Sequence, residues 1–184
     1  MTFTLFSLAF ISALVTKDIE YKEGDTVLQG YLAYDDTWKA GEKPGVVIVH
    51  EWKGLGDYAK RRAKEMAALG YVAFAADIYG KGVRPKTTEA AAKESSKYKA
   101  NRALLRARAT AAVNELKRQN LADAKRLGAM GYCFGGTTVL ELARAKNPDV
   151  KAVVSFHGGL ETPSPAQDPL LAQILVLHGA DDPY

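Results

Sequence analysis

Short, continuously apolar runs alternate with helical patterns through most of this chain. Five runs predict strands buried on both faces, at 45–50, 71–76, 127–132, 150–156 and 174–177. Three segments between them predict helices, at 57–69, 88–119 and 135–145. The stretch from Asp18 to Tyr34 predicts a β-hairpin with its turn at 23–25. This order predicts an α/β fold with a mostly parallel, doubly wound sheet, to which the N-terminal hairpin adds an antiparallel edge.

The first residues form a separate apolar segment, Phe3 to Val15. It is too short to cross a bilayer as a helix, so no stable membrane association is predicted. Its length and the small residues Ser12 and Ala13 are typical of a secretory signal, which predicts a periplasmic or secreted protein with a signal at 1–15. The alternative is an ordinary first strand, or a misplaced start, in a cytoplasmic protein.

Composition points to a soluble globular protein rather than a disordered one. The chain has 184 residues, of which 47% are hydrophobic and 25% charged, with a formal net charge of +4. The densest basic cluster, Lys60 to Lys64, lies in a predicted helix and has no aromatic stacking residues beside it. We interpret it as a solvated helix face, so no nucleic-acid partner is predicted.

Chemistry is expected in the loops that follow the strands, because ligands bind at the carboxyl ends of parallel strands. The loop after the third buried strand reads Gly131–Gly136 (GYCFGG), with a helix directly behind it. This pattern is typical of a nucleophile elbow with cysteine in place of serine. Gly131 and Gly135 would be required because a Cβ at either position would clash with the packed strand and helix. Cys133, the single cysteine, is therefore the predicted nucleophile.

The loop after the last strand carries two adjacent acids, Asp181 and Asp182. An acid at this place fits the order of nucleophile, acid and histidine that a nucleophile elbow implies. The spacing from Gly179 favours Asp182, since the fourth residue of that turn returns over the sheet and Pro183 stiffens it. The alternative is that both aspartates only end the strand.

Four segments together resemble the dienelactone hydrolase family, and the resemblance extends from Thr16 to the end of the chain. They are Val49–Trp52, Ala76–Gly80, Gly131–Gly136 and His178–Pro183. The resemblance implies an α/β-hydrolase fold, a Cys-Asp-His triad and hydrolysis of small carboxylic esters or lactones without metal or organic cofactor.

Carried over by position, the resemblance makes Cys133 the nucleophile and Asp182 the acid. Glu51 matches a carboxylate that contacts the resting thiol, and it would raise the thiol pKa. The alternative is that Glu51 is a loop residue that caps nearby backbone N–H groups. Trp52 and Phe134 match the two backbone N–H donors of the oxyanion hole.

The same resemblance predicts how a substrate is held. Lys81 stands where the enzyme after which the family is named has an arginine that binds the substrate carboxylate. Lysine cannot make the same bidentate contact. Tyr79, Arg84 and Trp52 would complete a pocket that is partly aromatic and partly basic. We therefore expect a small substrate with an anionic or strongly polar group near Lys81.

The three histidines, His50, His157 and His178, all precede Asp182, so the expected chain order leaves the catalytic histidine unassigned. We expect none of them to be catalytic, His157 and His178 to be structural, and the domain to be incomplete at its C-terminus, so that residues 1–184 alone would be inactive. One alternative is a glutamine-amidotransferase-like cysteine enzyme, although Phe134 stands where such a protein would have a histidine. Another is a non-catalytic, hydrolase-like binding or scaffold protein. The oligomeric state is not predicted.

Overall fold

The computed structural model describes residues 14–182 and contains seven strands and four helices. The strands are β1 (Leu14–Glu23), β2 (Thr26–Asp35), β3 (Lys43–Val49), β4 (Val72–Ala76), β5 (Ala122–Tyr132), β6 (Val150–Phe156) and β7 (Gln173–Leu177). The helices are α1 (Asp57–Ala68), α2 (Thr88–Ala100), α3 (Arg102–Arg118) and α4 (Phe134–Arg144). None of these helices is long and apolar enough to cross a membrane. The predicted secretory signal falls mainly on residues 1–13, outside the described part, and stays a prediction.

All seven strands form one sheet in the order β1-β2-β4-β3-β5-β6-β7. The five strands β3 to β7 run parallel, whereas β1 and β2 form an antiparallel hairpin that joins the sheet through β4. The predicted fold class is confirmed, including the hairpin at one edge. Because the five parallel strands point the same way, the loops after them meet at one edge of the sheet.

Both faces of the central strands are buried, which explains their continuous apolar sequence. On β3, Val47 and Val49 join a core with α3 and α4 on one face, and Val46 and Ile48 join a core with α1 on the other. The sheet is therefore packed between helices on both faces, and this packing fixes the strand ends from which the loops at the carboxyl edge begin.

The predicted helix over 88–119 is in fact two helices that break at Asn101. Asn101 has non-helical backbone angles (φ −119°, ψ 83°), and its side-chain oxygen accepts a 3.0 Å hydrogen bond from the N–H of Leu104. Asparagine competes with helical hydrogen bonding in this way, which makes it a good first residue for α3 and a poor interior one. The break therefore ends α2 and begins α3 at the same residue.

Strand β7 lies at the edge of the sheet opposite the hairpin and is exposed along its whole length. Its apolar side chains Ile174, Leu175, Val176 and Leu177 are 41%, 51%, 38% and 44% exposed. Within residues 14–182 it pairs only with β6.

Candidate active site

Cys133 occupies the turn between β5 and α4 with a strained backbone (φ 54°, ψ −114°). A positive φ is uncommon for a residue with a side chain and is typical of functional turns. Its N–H donates a 2.8 Å hydrogen bond to the carbonyl oxygen of Phe156, and its carbonyl oxygen accepts the N–H of Thr137 at 3.2 Å. The turn is thus held by β6 on one side and by the first turn of α4 on the other.

The glycines around the cysteine are required by close backbone contact. A Cβ at Gly131 would lie 2.9 Å from the nitrogen of Gly136, and closer still to the carbonyl oxygen of Gly135. A Cβ at Gly135 would lie 2.8 Å from the carbonyl oxygen of His50, and closer still to that of Val49. The predicted steric reason for both glycines is confirmed.

The electrostatic surroundings favour a neutral thiol at rest. Burial raises the pKa of the Cys133 thiol above its ordinary value, and the negative charges of Glu51 and Asp182 raise it further. The N–H of Phe134 and the positive charge of Lys99 oppose this effect and lower the thiol pKa. Glu51 therefore acts on the thiol in the predicted direction, although it is an exposed side chain.

Lys99, in the last turn of α2, was not among the residues that the sequence suggested. It is exposed, and in the sequence it is one of several lysines in an ordinary helical pattern. Its neighbour Tyr98 packs edge-on against Phe134, with ring centroids 6.2 Å apart, and this contact brings the end of α2 to the elbow. No local signal could have identified it, because α2 lies more than thirty positions before Cys133 in the chain.

Asp182 is the more buried of the two candidate acids: its side chain is 7% exposed, while Asp181 is exposed. The carboxylate contacts two histidines through the same oxygen, Oδ2. His157 Nδ1 makes a short contact with it, and His178 Nε2 lies 3.3 Å away. The two rings stack with centroids 6.0 Å apart. Among residues 14–182, no set of three His, Cys, Asp or Glu side chains is placed to hold a metal ion.

Tyr79 connects the two predicted oxyanion donors. Its hydroxyl donates a 2.9 Å hydrogen bond to the carbonyl oxygen of Trp52, and its ring packs against Phe134 with centroids 5.2 Å apart. The side chain is only 4% exposed, so in this structure it is packed beneath the loops that carry Trp52 and Phe134. Its predicted contact with a substrate stays a prediction.

Lys81 and Arg84 make contacts within the protein. The Lys81 ammonium contacts Glu20 on β1 at the surface. The Arg84 guanidinium donates to the carbonyl oxygen of Val83 at 2.7 Å and lies 3.4 Å from the fully buried carboxylate of Asp77. These contacts do not bring either cation to Cys133, and their predicted role in substrate binding stays a prediction.

Asp77 is a second residue that the sequence did not single out. Its carboxylate accepts hydrogen bonds from the N–H groups of Gln29, Tyr79 and Gly80 at 3.1–3.2 Å. It fixes the loop after β4, from which Tyr79 projects toward the site.

His50 is almost fully buried and bonded through both ring nitrogens. Nδ1 lies 2.6 Å from the carbonyl oxygen of Glu51, and Nε2 lies 3.2 Å from the nitrogen of Ile78. Burial lowers the pKa of His50 to about 4, so the ring is neutral at physiological pH.

Comparison with known proteins places the chain in a family. The model of the dienelactone hydrolase family matches residues 28–184. A protein of Methylorubrum extorquens, named as a proposed carboxymethylenebutenolidase, is 30% identical over 182 residues, covering 93% of this chain and 62% of that protein. The chain thus spans somewhat less than two thirds of the length of that curated relative.

Two solved structures are more similar in sequence. The protein called m3DLH is 41% identical with a TM-score of 0.84, and the match covers 93% of this chain and 71% of that one. A dienelactone hydrolase-like promiscuous phosphotriesterase, P91, from metagenomic libraries, is 39% identical with a TM-score of 0.83 over the same shares of the two chains. The sheet order, the cysteine elbow and these matches agree, and the chain belongs to the dienelactone hydrolase family.

Proposed function

We propose that this chain carries the nucleophile of a hydrolase for small carboxylic esters or lactones. In this proposal Cys133 attacks the substrate carbonyl, Asp182 is the acid of a Cys-Asp-His triad, and the backbone N–H groups of Trp52 and Phe134 bind the oxyanion. The observation that carries the proposal is the position of Cys133, at a strained strand-to-helix turn with the Phe134 N–H directed at its sulfur.

The reaction would pass through an acyl-enzyme. The Cys133 thiol loses its proton, and the sulfur adds to the carbonyl carbon to give a tetrahedral intermediate whose oxyanion the two N–H groups bind. Collapse of the intermediate expels the alcohol, which takes a proton, or opens the ring of a lactone. Water then hydrolyses the thioester, releasing the carboxylic acid and restoring the thiol.

The proton acceptor is the unassigned part of the proposal. His157 and His178 both contact Asp182, but the order of residues in this type of site places the catalytic histidine after the acid. We keep that prediction, and we treat His157 and His178 as groups that hold Asp182.

Relatives widen the range of substrates worth testing. A protein of a Bradyrhizobium species, 31% identical over 121 residues, is named as a lactonase of an oxofuranylidene propanoate, and P91 is named as a promiscuous phosphotriesterase. A small aryl ester, a five-membered enol-lactone and a phosphate triester therefore form the test panel. The ester and the lactone are the expected substrates, because attack on their carbonyl carbon gives the tetrahedral oxyanion that the two proposed N–H donors would bind.

The single cysteine permits a direct test. An activated aryl ester should acylate wild-type protein once, and intact-mass spectrometry should find the acyl group on the peptide that contains Cys133. Cys133→Ala should remove acylation, and it should also remove turnover from the complete protein. Cys133→Ser should keep only a trace of either, because the surroundings suit a larger, more acidic thiol. Acylation elsewhere, or full activity of Cys133→Ser, would contradict the proposal.

The same assay distinguishes a hydrolase from a non-catalytic, hydrolase-like scaffold protein. A hydrolase-like binding protein would be acylated slowly or not at all, even by an activated ester. A protein with the nucleophile but without an effective base would be acylated and would release the acyl group slowly. Acylation measured separately from turnover distinguishes the two.

A further inference from the structure

The peptide group that joins Glu51 to Trp52 is held firmly from one side. The Glu51 carbonyl oxygen lies 2.6 Å from Nδ1 of His50, and it accepts a 3.1 Å hydrogen bond from the N–H of Gly54. The second half of the same peptide group is the N–H of Trp52, one of the two proposed oxyanion donors.

The tautomer of His50 follows from its partners. The N–H of Ile78 points at Nε2, so Nε2 must be the acceptor and cannot carry a proton. The ring proton is therefore on Nδ1, which donates it to the Glu51 carbonyl oxygen. The lowered pKa keeps this arrangement intact, because a protonated ring would turn its Nε2–H against the N–H of Ile78.

Planarity transmits this constraint to Trp52. In a trans peptide the C=O and N–H bonds point in opposite directions, and the peptide bonds of the described residues are trans. Holding the Glu51 carbonyl against His50 therefore directs the Trp52 N–H away from His50. Rotation of this peptide group would break the hydrogen bond between His50 and the Glu51 carbonyl oxygen, and it would turn the Trp52 N–H away from its present direction.

The second donor is tied to the same ring. His50 stacks on Phe134 with ring centroids 5.8 Å apart, and it meets Tyr79 edge-on at 4.8 Å. One buried ring thus packs on the residue that supplies one donor and bonds the peptide group that supplies the other. It can set the distance and the angle between them.

We propose that His50 is a positioning residue of the oxyanion hole, which directs the Trp52 N–H at the developing negative charge by holding the Glu51 carbonyl oxygen. The proposal rests on the proposed function, in which Cys133 forms a tetrahedral adduct whose oxygen binds to Trp52 and Phe134. His50 touches neither the substrate nor the thiol in this role.

Three substitutions separate the hydrogen bonds from the packing. His50→Phe keeps an aromatic ring against Phe134 and Tyr79 but removes both hydrogen bonds. His50→Asn places its amide nitrogen near the position of Nδ1, so it can keep the donor to the Glu51 carbonyl oxygen while losing the acceptor for Ile78. His50→Gln places its amide near the position of Nε2, so it can keep the acceptor for Ile78 while losing the donor to Glu51.

Two probes of Cys133 report on different features of the site. The Cys133 sulfur adds to the carbonyl carbon of a small aryl trifluoromethyl ketone, and the resulting oxyanion is stabilised by the two N–H donors. Iodoacetamide is attacked at a saturated carbon and loses iodide, so it needs the thiolate but no oxyanion donor. Both probes work whether or not the protein turns over esters.

We expect His50→Phe to weaken ketone inhibition by at least about tenfold, toward the loss that follows removal of an oxyanion donor, while iodoacetamide alkylation stays within about twofold. Where ester turnover is measurable, kcat should fall with little change in KM. His50→Asn should keep ketone binding close to wild type, because its amide nitrogen can still donate to the Glu51 carbonyl oxygen. Wild-type ketone affinity in folded His50→Phe, or an equal loss with both probes, would overturn the proposal.

If thermal melting shows that His50→Phe does not fold, the two amide variants decide. Stronger ketone binding by His50→Asn than by His50→Gln supports the positioning role, and equal binding or the reverse order overturns it. A wild-type protein that binds the ketone but hydrolyses no ester would count against the proposed function and would leave the His50 test intact.

Discussion

The main-chain N–H of Cys133 donates a 2.8 Å hydrogen bond to the carbonyl oxygen of Phe156, the last residue of β6. The pairing of β5 with β6 therefore continues into the elbow instead of ending before it. Because the next residue after Phe156 is His157, the same bond also fixes the loop whose histidine contacts Asp182. The loops that carry Cys133 and Asp182 are thus connected through β6.

Replacing Glu51 with glutamine should make the thiol easier to ionise. The negative charge of Glu51 raises the thiol pKa, so Glu51→Gln removes a repulsion that opposes thiolate formation. The pH midpoint of iodoacetamide alkylation should shift to lower pH, and alkylation below that midpoint should become faster. Glu20→Gln, a surface carboxylate on β1, is the matched control and should leave the midpoint unchanged. An unchanged midpoint in Glu51→Gln would remove this carboxylate from the thiol's surroundings.

Lys99 and Lys81 should differ in their effect on Cys133. The positive charge of Lys99 lowers the thiol pKa, whereas the Lys81 ammonium contacts Glu20. Lys99→Met should therefore move the alkylation midpoint to higher pH, and Lys81→Met should not. If the substrate is anionic, Lys99→Met should also raise KM for acidic esters more than for neutral ones. A larger effect from Lys81→Met on both measurements would restore the sequence-based assignment.

The two histidines that hold Asp182 should respond to opposite amide substitutions. His157 contacts the carboxylate through Nδ1, whose place the asparagine amide nitrogen can take, and His178 does so through Nε2, which glutamine imitates. His157→Asn also suits the positive φ of 57° at that residue.

We therefore expect His157→Asn and His178→Gln to keep the wild-type alkylation profile. His157→Gln and His178→Asn should release the carboxylate and lower the midpoint, as Asp182→Asn does, because the Asp182 charge raises the thiol pKa. The reverse pattern, or four equal variants, would show that neither ring nitrogen holds Asp182.

The exposed strand β7 should promote self-association of residues 1–184. Its four apolar side chains are more than one third exposed, and uncharged apolar edge strands pair readily with other chains. Leu175→Lys should reduce light scattering at a given concentration without lowering the melting temperature. Lys151→Leu, on the neighbouring β6, should have the opposite effect. Scattering that is the same in all three proteins would contradict this prediction.

Much of the fold could be predicted from the sequence because its determinants are local. Continuous apolar runs mark strands buried on both faces, and the glycines around Cys133 mark a turn in which backbone atoms touch. Asn101 shows the limit of such patterns, since a helix can break at one residue without any change in periodicity. The family resemblance added roles to Glu51 and Trp52 that periodicity alone does not indicate.

By itself, the sequence determined the order of the strands, the elbow that carries Cys133 and the loop that carries Asp182. Only the tertiary structure decided which distant side chains meet: Lys99 with the thiol, His50 with Ile78, and His157 with Asp182. These pairs are separated by 34, 28 and 25 positions, so their distances depend on the twist of the sheet and on helix packing rather than on local preference. Local sequence determines where the backbone turns, whereas tertiary packing determines which distant residues a side chain contacts.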